Sequence, residues 1–216
     1  MTDQRQFGSL VVAQSAPQLL VTDLDNEIWL RCQPIAITHY WSGESAPTSR
    51  HAEVRLCWND EGLIVKFVCQ QHEALIVSEE PITEVKTIGL WDRDVCEIFV
   101  APDPTNPGQY FEFEAAPTGE WIDLAIQIKP EGRETEWDYQ SGMKTFSRIA
   151  EHQIVVALSI PWSGRIPKPI AGDEWRANLF RCVGPEAPER YLAWLPTGTP
   201  EPNFHVPEVF GTLQYL

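Results

Sequence analysis

Apolar and polar residues alternate with a period of two along much of the chain, which is typical of strands with one buried face. The clearest case is residues 53–70, which a turn at residues 59–62 divides into two strands. If this hairpin pairs about the centre of the turn, one face carries Val54, Leu56, Trp58, Leu63, Val65, Phe67 and Cys69. Cys57 then points away from Cys69, which disfavours a disulfide between them.

Eighteen prolines and thirteen glycines interrupt the sequence at short intervals, and helical periodicity is scarcely visible. We predict further strands near residues 95–100, 109–116, 121–128, 145–149, 153–160, 175–183, 191–195 and 211–215. The proline-rich stretch 161–172 is predicted to be a loop. Many short strands with frequent turns predict an all-β fold, an antiparallel, jelly-roll-like β-sandwich. No repeat or linker divides the chain, so we predict a single domain over residues 1–216.

Composition and charge narrow the classes of function. The formal net charge of −15 argues against nucleic acid and against anionic membranes as partners. No apolar run is long enough to span a bilayer, and the first residues do not resemble a secretory signal, which mildly favours a cytoplasmic location. Five cysteines without a CxxC pair indicate free thiols rather than a disulfide framework or a thiolate zinc site. The oligomeric state is left open.

Acidic and aromatic residues alternate with apolar ones on three consecutive predicted strands. Matching the apolar faces places Cys96, Ile98 and Val100 with Phe111 and Phe113 in the core. For the third strand, the same alternation predicts Ile122, Leu124, Ile126 and Ile128 in the core. The opposite face is then expected to carry Glu97, Glu112, Glu114 and Asp123 beside Tyr110 and Trp121.

This expected face carries no cation, and like charges on adjacent strands destabilise a sheet. Carboxylates accept hydrogen bonds from sugar hydroxyls, and aromatic rings stack on the C–H faces of a pyranose. On spacing alone, a carbohydrate site and a merely solvated acidic face explain the pattern equally well.

At these residues the chain resembles carbohydrate-binding module family 9 and family-9-like domains. The resemblance rests on the segments 91–100 (WDRDVCEIFV), 110–119 (YFEFEAAPTG), 175–181 (WRANLFR) and 204–213 (FHVPEVFGTL), together with Ala193-Trp194 and the opening DNEIW at 25–29. The segments run through nearly the whole chain in family order. The resemblance implies a non-catalytic β-sandwich that binds a mono- or oligosaccharide between two aromatic side chains.

Residue by residue, the resemblance implies Trp91 and Phe204 as the clamp and Glu97 as the strand glutamate. Many members have tryptophan where Phe204 stands. The polar position of the next strand falls on Glu112 or Glu114, where some members carry arginine. The remaining candidates for contact with the sugar are Tyr110, Asn178, Arg181 and His205, and the sequence leaves open whether Asn178 or Arg181 faces the ligand.

No catalytic residue, metal site or cofactor is predicted. The five histidines lack ligand spacing, and the loop 103–106, whose oxygens suit a structural calcium ion of the kind the family resemblance implies, lacks an EF-hand pattern. Two rival functions stay open. One is a glycosidase that uses paired glutamates such as Glu97 and Glu112, and the other is a protein-interaction sandwich without a sugar site.

Overall fold

In a computed structural model, residues 10–185 and 187–216 are described, so the N-terminal residues considered for a secretory signal lie outside the described part. The fold is built from fourteen strands. They are β1 (Leu10–Ser15), β2 (Ile35–Ile37), β3 (His39–Tyr40), β4 (Ala52–Trp58), β5 (Gly62–Gln70), β6 (Val95–Ala101), β7 (Gln109–Ala115), β8 (Trp121–Lys129), β9 (Gly132–Glu136), β10 (Lys144–Ala150), β11 (Gln153–Pro161), β12 (Glu174–Cys182), β13 (Tyr191–Ala193) and β14 (Gly211–Tyr215).

Every predicted strand is present, and the stretch after Pro161 is a loop as expected. The four short strands that were not predicted are β1, β2, β3 and β9. Within residues 10–185 and 187–216 the regular structure is otherwise limited to short 3-10 turns, so the all-β prediction is confirmed. This part of the chain contains no helix long and apolar enough to cross a bilayer.

Eleven of the strands form one hydrogen-bonded path in the order β10-β11-β5-β4-β1-β14-β12-β6-β7-β8-β9, and off this path β2 pairs with β4 while β13 pairs with both β12 and β3. The pairings are antiparallel except at β1, which runs parallel to both β14 and β4. The main core brings together side chains from both halves of this path, including Leu56 and Phe67 from one half and Ile98 and Phe113 from the other. The path therefore folds over itself as a sandwich.

The hairpin β4–β5 has the predicted register. Trp58 pairs with Leu63 and Leu56 with Val65, and the predicted face lies against the main core. Asn59 holds the turn because its side-chain oxygen accepts hydrogen bonds from the backbone N–H groups of residues 61 and 62. Gly62 is required there, since a Cβ atom would lie 2.3 Å from the carbonyl oxygen of Ile160.

All five cysteines are buried free thiols, as predicted. Cys69 faces the main core, whereas Cys57 faces a smaller cluster with Cys32 and Trp29. The Cys57 and Cys69 side chains therefore project from opposite faces of the hairpin, in agreement with the expected alternation.

The structure reverses the predicted orientation of β8. Glu114 pairs directly with Ile122 and Glu112 with Leu124, and directly paired residues of neighbouring strands project from the same face of a sheet. The branched side chains of β8 therefore share the face of the glutamates. The prediction that Asp123 lies on that face is wrong, because Asp123 alternates onto the other side.

Trp121 and Asp123 instead face the main core, where they find polar partners. Asp123 Oδ1 lies 2.6 Å from Lys86 Nζ in an ion pair outside ideal hydrogen-bond geometry. Its Oδ2 accepts hydrogen bonds from the backbone N and Oγ of Ser141 at 2.6 and 2.7 Å. Trp121 Nε1 donates to the carbonyl of Thr83. Most of β8 is buried on both faces, so apolar alternation alone could not distinguish them.

Candidate functional site

Three glutamates from β6 and β7 gather on one face of the sheet. Glu97 on β6 pairs directly with Glu114 on β7. Glu112 lies two residues before Glu114 on β7, and its side chain therefore projects from the same face. Their exposed fractions are only 1%, 3% and 1% for Glu97, Glu112 and Glu114. Carboxyl groups are almost never buried to this extent unless they are paired. The solvated acidic face considered from the sequence is therefore not what the structure shows.

The three carboxyl groups have few protein partners. Glu97 Oε1 accepts a hydrogen bond from Cys182 Sγ at 3.3 Å. Glu112 Oε2 and both side-chain oxygens of Glu114 are buried, and as ionised carboxylates they accept no hydrogen bond from residues 10–185 and 187–216. A buried polar atom without a partner costs free energy. These oxygens are accordingly free to accept a ligand's hydrogen-bond donors.

Burial raises the pKa of each of the three carboxyl groups. It raises the pKa of Glu97 to about 8, and the neighbouring charge of Glu112 adds to the effect. Burial also raises the pKa of Glu112, although a hydrogen bond with Glu114 and the charge of Arg133 lower it. The pKa of Glu114 is well above its ordinary value because of burial and the charges of the other two glutamates.

The glutamates lie in a cavity of about 310 Å³, near the lower end of the roughly 300–1,000 Å³ that is common for small-molecule sites. Nine of its lining side chains are aromatic or apolar, and seven are polar or charged. The cavity is lined by Trp91, Glu97, Phe99, Glu112, Glu114, Leu124, Ile126, Arg133, Thr135, Trp137, Cys182, Tyr191, Pro202, Asn203, Phe204 and His205.

Trp91 lines the cavity from a 3-10 turn, Leu90–Asp92, that precedes β6. Gly89 begins the turn with φ of 81°, a left-handed conformation that glycine adopts without steric cost. Leu90 is fully buried and anchors the turn. The guanidinium of Arg190 donates to the carbonyls of Asp92 and residue 93 at 2.9 and 2.7 Å. The backbone that carries Trp91 is therefore held from both sides.

Phe204 lines the same cavity and is held by two aromatic neighbours. Its ring stacks on Phe180 with a centroid distance of 4.0 Å and an interplanar angle of 14°, and it meets Tyr191 edge-on at 5.9 Å. One face of the Phe204 ring is thus used within the protein. Only the other face remains for a ligand.

Tyr110 and His205 form a pair at the side of the glutamates. The Tyr110 hydroxyl lies 2.7 Å from His205 Nδ1, and His205 Nε2 is 3.8 Å from Glu112 Oε2. His205 lines the cavity, whereas the almost fully buried Tyr110 does not. Burial lowers the pKa of His205 to about 3, so its imidazole is neutral at pH 7. Tyr110 therefore positions His205 rather than lining the site.

Asn178 and Arg181 both lie outside the lining of this cavity. The Asn178 side-chain amide donates a hydrogen bond to the backbone carbonyl of Leu195 at 2.9 Å and accepts one from the backbone N–H of Leu195 at 3.1 Å. Arg181 alternates onto the opposite face of β12, where it donates to the carbonyl of Arg50 and to Gln71 Oε1 at 2.7 and 2.6 Å. Both side chains hold neighbouring segments together.

The cavity also contains residues that the sequence analysis missed, and several come from β9 and its end. Arg133 pairs with Ile128 and Thr135 with Ile126, so both lie on the glutamate face. Trp137 follows β9, is 46% exposed, and contacts Trp91 with ring centroids 6.3 Å apart. The sequence feature that could have indicated Trp137 is its position directly after a short polar segment. The largely polar β9 gave no strand pattern.

No group of three or more histidine, cysteine or acidic side chains in the described chain is arranged to hold a metal ion. In the loop 103–106, Asp103 Oδ1 accepts hydrogen bonds from the backbone N and Oγ1 of Thr105 at 2.9 and 2.6 Å. This oxygen is used to shape the loop. The expectation of no metal site or cofactor, with a structural calcium ion in this loop as the alternative, stays a prediction.

The aromatic cavity over a carboxyl-rich sheet face agrees with the comparison of the sequence with protein-family models. A model described as carbohydrate-binding family 9 matches residues 22–215. The chain belongs to carbohydrate-binding family 9. The family resemblance found in the sequence is thus confirmed over most of the chain. A comparison with curated proteins found no match.

Solved structures of family 9 and related proteins share the fold. A protein from Bacteroides uniformis ATCC 8492, assigned as carbohydrate-binding, is 18% identical with a TM-score of 0.72, covering 97% of this chain and 100% of that chain. A family 9 module from Caldicellulosiruptor kristjanssonii in complex with glucose is 15% identical with a TM-score of 0.66, covering 96% and 95%. A complex with cellotriose from the same organism is 17% identical with a TM-score of 0.63, covering 95% and 93%. These similarities establish the β-sandwich fold.

Proposed function

We propose that the chain binds a mono- or oligosaccharide without covalent chemistry in the cavity over Glu97, Glu112 and Glu114. The observation that carries this proposal is the presence of buried, unpartnered carboxyl oxygens at an aromatic cavity in a member of carbohydrate-binding family 9. A sugar offers both surfaces that the cavity requires. Its hydroxyls donate hydrogen bonds, and its C–H faces pack on aromatic rings.

In this arrangement the aromatic residues orient the sugar ring. Trp91 lies beside Trp137, and Phe204 offers its one free face. The oxygens of Glu112 and Glu114 accept hydrogen bonds from hydroxyl groups, and Arg133 and Asn203 add donors at the cavity wall. For a ligand of one or two sugars we expect a Kd between micromolar and millimolar, or about −8 to −4 kcal/mol.

The raised pKa of Glu97 is the observation that favours the rival function, a glycosidase, because a general acid needs a carboxyl group that is protonated near neutral pH. Such an enzyme also needs a second, ionised carboxylate as nucleophile or base. Here burial raises the pKa values of Glu112 and Glu114 as well. The same environment thus opposes the ionised partner, which supports binding over hydrolysis.

The direct test is a glycan array followed by calorimetry of the full chain. Glucose and cellotriose are the first ligands to titrate, since these are the sugars in the two Caldicellulosiruptor kristjanssonii complexes. We expect binding of at least one sugar that Trp91→Ala abolishes or weakens. Phe146→Ala is the matched control, because Phe146 is an exposed aromatic residue on β10, outside the cavity lining.

Two outcomes would separate the rivals. Release of reducing sugar that disappears in Glu97→Gln would establish a glycosidase. Failure of the folded protein to bind any glycan would contradict the proposal and leave a protein-interaction sandwich as the remaining candidate.

A further inference from the structure

The cavity has an imbalance of charge that a neutral sugar does not correct. It contains three carboxyl groups, and Arg133 is the one cationic side chain among the described residues that line it. The histidine at the wall, His205, is neutral. If the glutamates ionise, the site carries an excess of negative charge in a buried environment. Such an excess is costly unless a cation is present.

The hydrogen-bonding capacity of the glutamates shows the same imbalance. Ionised carboxylates only accept hydrogen bonds. Three of the oxygens of Glu112 and Glu114 are buried without a partner, and when one of the two groups is protonated they share a hydrogen bond. Protons on the carboxyl groups are one means of offsetting this charge. A ligand that supplied positive charge and several donors together would replace those protons.

We propose that this site prefers carbohydrates that carry a protonated primary amine, the amino-sugar class, with the ammonium group placed against Glu112 and Glu114. This inference rests on the proposed function, since it names the class of sugar that the same cavity binds. An ammonium group has three N–H donors and a unit positive charge. The sugar ring provides the faces that pack on the aromatic residues, as a neutral sugar would.

Binding of such a ligand is coupled to release of protons from the site. The ammonium group stays protonated, and its charge lowers the pKa values of the nearby carboxyl groups, which then lose their protons to solvent. The titratable and charged side chains facing the ligand are Glu97 on β6, Glu112 and Glu114 on β7, Arg133 on β9, Cys182 on β12, and Tyr191 with His205 at the wall. A neutral sugar leaves the carboxyl groups protonated and releases none.

The experiment is calorimetry of the full chain at pH 6.5 with glucosamine, glucose and N-acetylglucosamine, each in two buffers of different ionisation enthalpy. Charge-assisted hydrogen bonds are roughly twice as strong as neutral ones, so we expect glucosamine to bind about tenfold more tightly than the two neutral sugars. We also expect net proton release for glucosamine alone.

The variants Glu112→Gln and Glu114→Gln test where the amine binds, because glutamine keeps the shape of the side chain without its charge. Each is expected to weaken the binding of glucosamine by a larger factor than that of glucose, which reduces the preference, and to reduce the proton release. Glu151→Gln is the matched control, since the Glu151 side chain is 91% exposed and lies outside the cavity lining. It should keep the full preference.

Each result bears on the two proposals differently. If glucose or N-acetylglucosamine binds as tightly as glucosamine, the amino-sugar proposal is overturned and carbohydrate binding stands. A glucosamine preference that survives both glutamine variants would overturn it as well, because the amine would then bind elsewhere. If none of the three sugars nor any glycan on the array binds to the folded protein, both proposals fail.

Discussion

Buried acids occur on both faces of the neighbouring strands β7 and β8, and they differ in what surrounds them. On the main-core face of β8, Asp123 is fully buried beside Lys86 and also accepts two hydrogen bonds from Ser141. On the other face, Glu112 and Glu114 of β7 are nearly as buried but have unpartnered oxygens that line a cavity. The same residue class is thus provided with partners in one place and left without them in the other.

The difference separates a structural acid from a ligand-binding one. A buried charge whose partners come from its own chain ties together the segments that supply them, as Asp123 joins residues 86 and 141 to β8. A buried carboxyl group without partners does nothing for the fold and costs free energy. Glu112 and Glu114 are better explained by a molecule that binds to them.

The largest expected effect concerns Asp123, the buried acid whose partners come from its own chain. Asp123→Ala removes the fully buried acceptor of two Ser141 hydrogen bonds and leaves the partly buried Lys86 ammonium without its counter-ion, so we expect the free energy of unfolding to fall by about 3–5 kcal/mol. Urea denaturation at pH 7 measures this change. Asp123→Asn keeps the shape and is expected to lose less, and a loss below about 1 kcal/mol in the alanine variant would contradict the structural role.

The second effect concerns pH. Because the pKa of Glu97 rises from an ordinary 4.5 to about 8 on folding, the native state binds more protons than the unfolded state between these values. Its contribution to stability is therefore full below pH 4.5 and is lost as pH rises toward 8, by at most about 1.4 kcal/mol per pH unit. Urea denaturation of the wild type and Glu97→Gln between pH 5 and 8 isolates this slope.

Subtracting the variant removes the opposite contribution of His205, whose pKa is lowered on folding. The stability of the wild type relative to Glu97→Gln should fall steadily with pH. Parallel pH profiles for the two proteins would mean that Glu97 titrates normally.

The third effect tests the walls of the cavity. Trp91→Ala removes an aromatic surface from the ligand while Leu90 still anchors the turn. We expect sugar affinity to fall by at least about tenfold, or about 1.4 kcal/mol. Calorimetry with the best ligand of the array measures it. Unchanged affinity in a folded Trp91→Ala protein would remove Trp91 from the site.

The smallest expected effect concerns Glu114, the buried acid on the other face of the sheet. Glu114→Gln removes a carboxyl group that has no hydrogen-bond partner in the described chain, so the free energy of unfolding is expected to change by less than about 1 kcal/mol or to rise. The measurement is urea denaturation at pH 7 beside the Asp123 variants. A loss as large as that of Asp123→Ala would show that Glu114 is structural too.

The predicted positions of the candidate residues were right or wrong according to how clear the sequence pattern around each residue was. Trp91, Phe204 and the three glutamates lie together as the family resemblance implied, along with His205. The assignment of Asp123 failed because β8 is buried on both faces. Trp137 and Arg133 were not found, since the sequence of β9 is largely polar and shows no strand alternation, although β9 forms a tight hairpin with β8.

The sequence by itself determined ten of the fourteen described strands, the hairpin register and the family, because alternation and short motifs are local properties of the chain. Only the tertiary structure decided which face of β8 meets the core and whether Asn178 or Arg181 reaches the cavity. It also decided which buried acids have partners. These outcomes depend on contacts between segments far apart in sequence, such as Lys86 with Asp123 or Tyr110 with His205, and strand alternation contains no record of them.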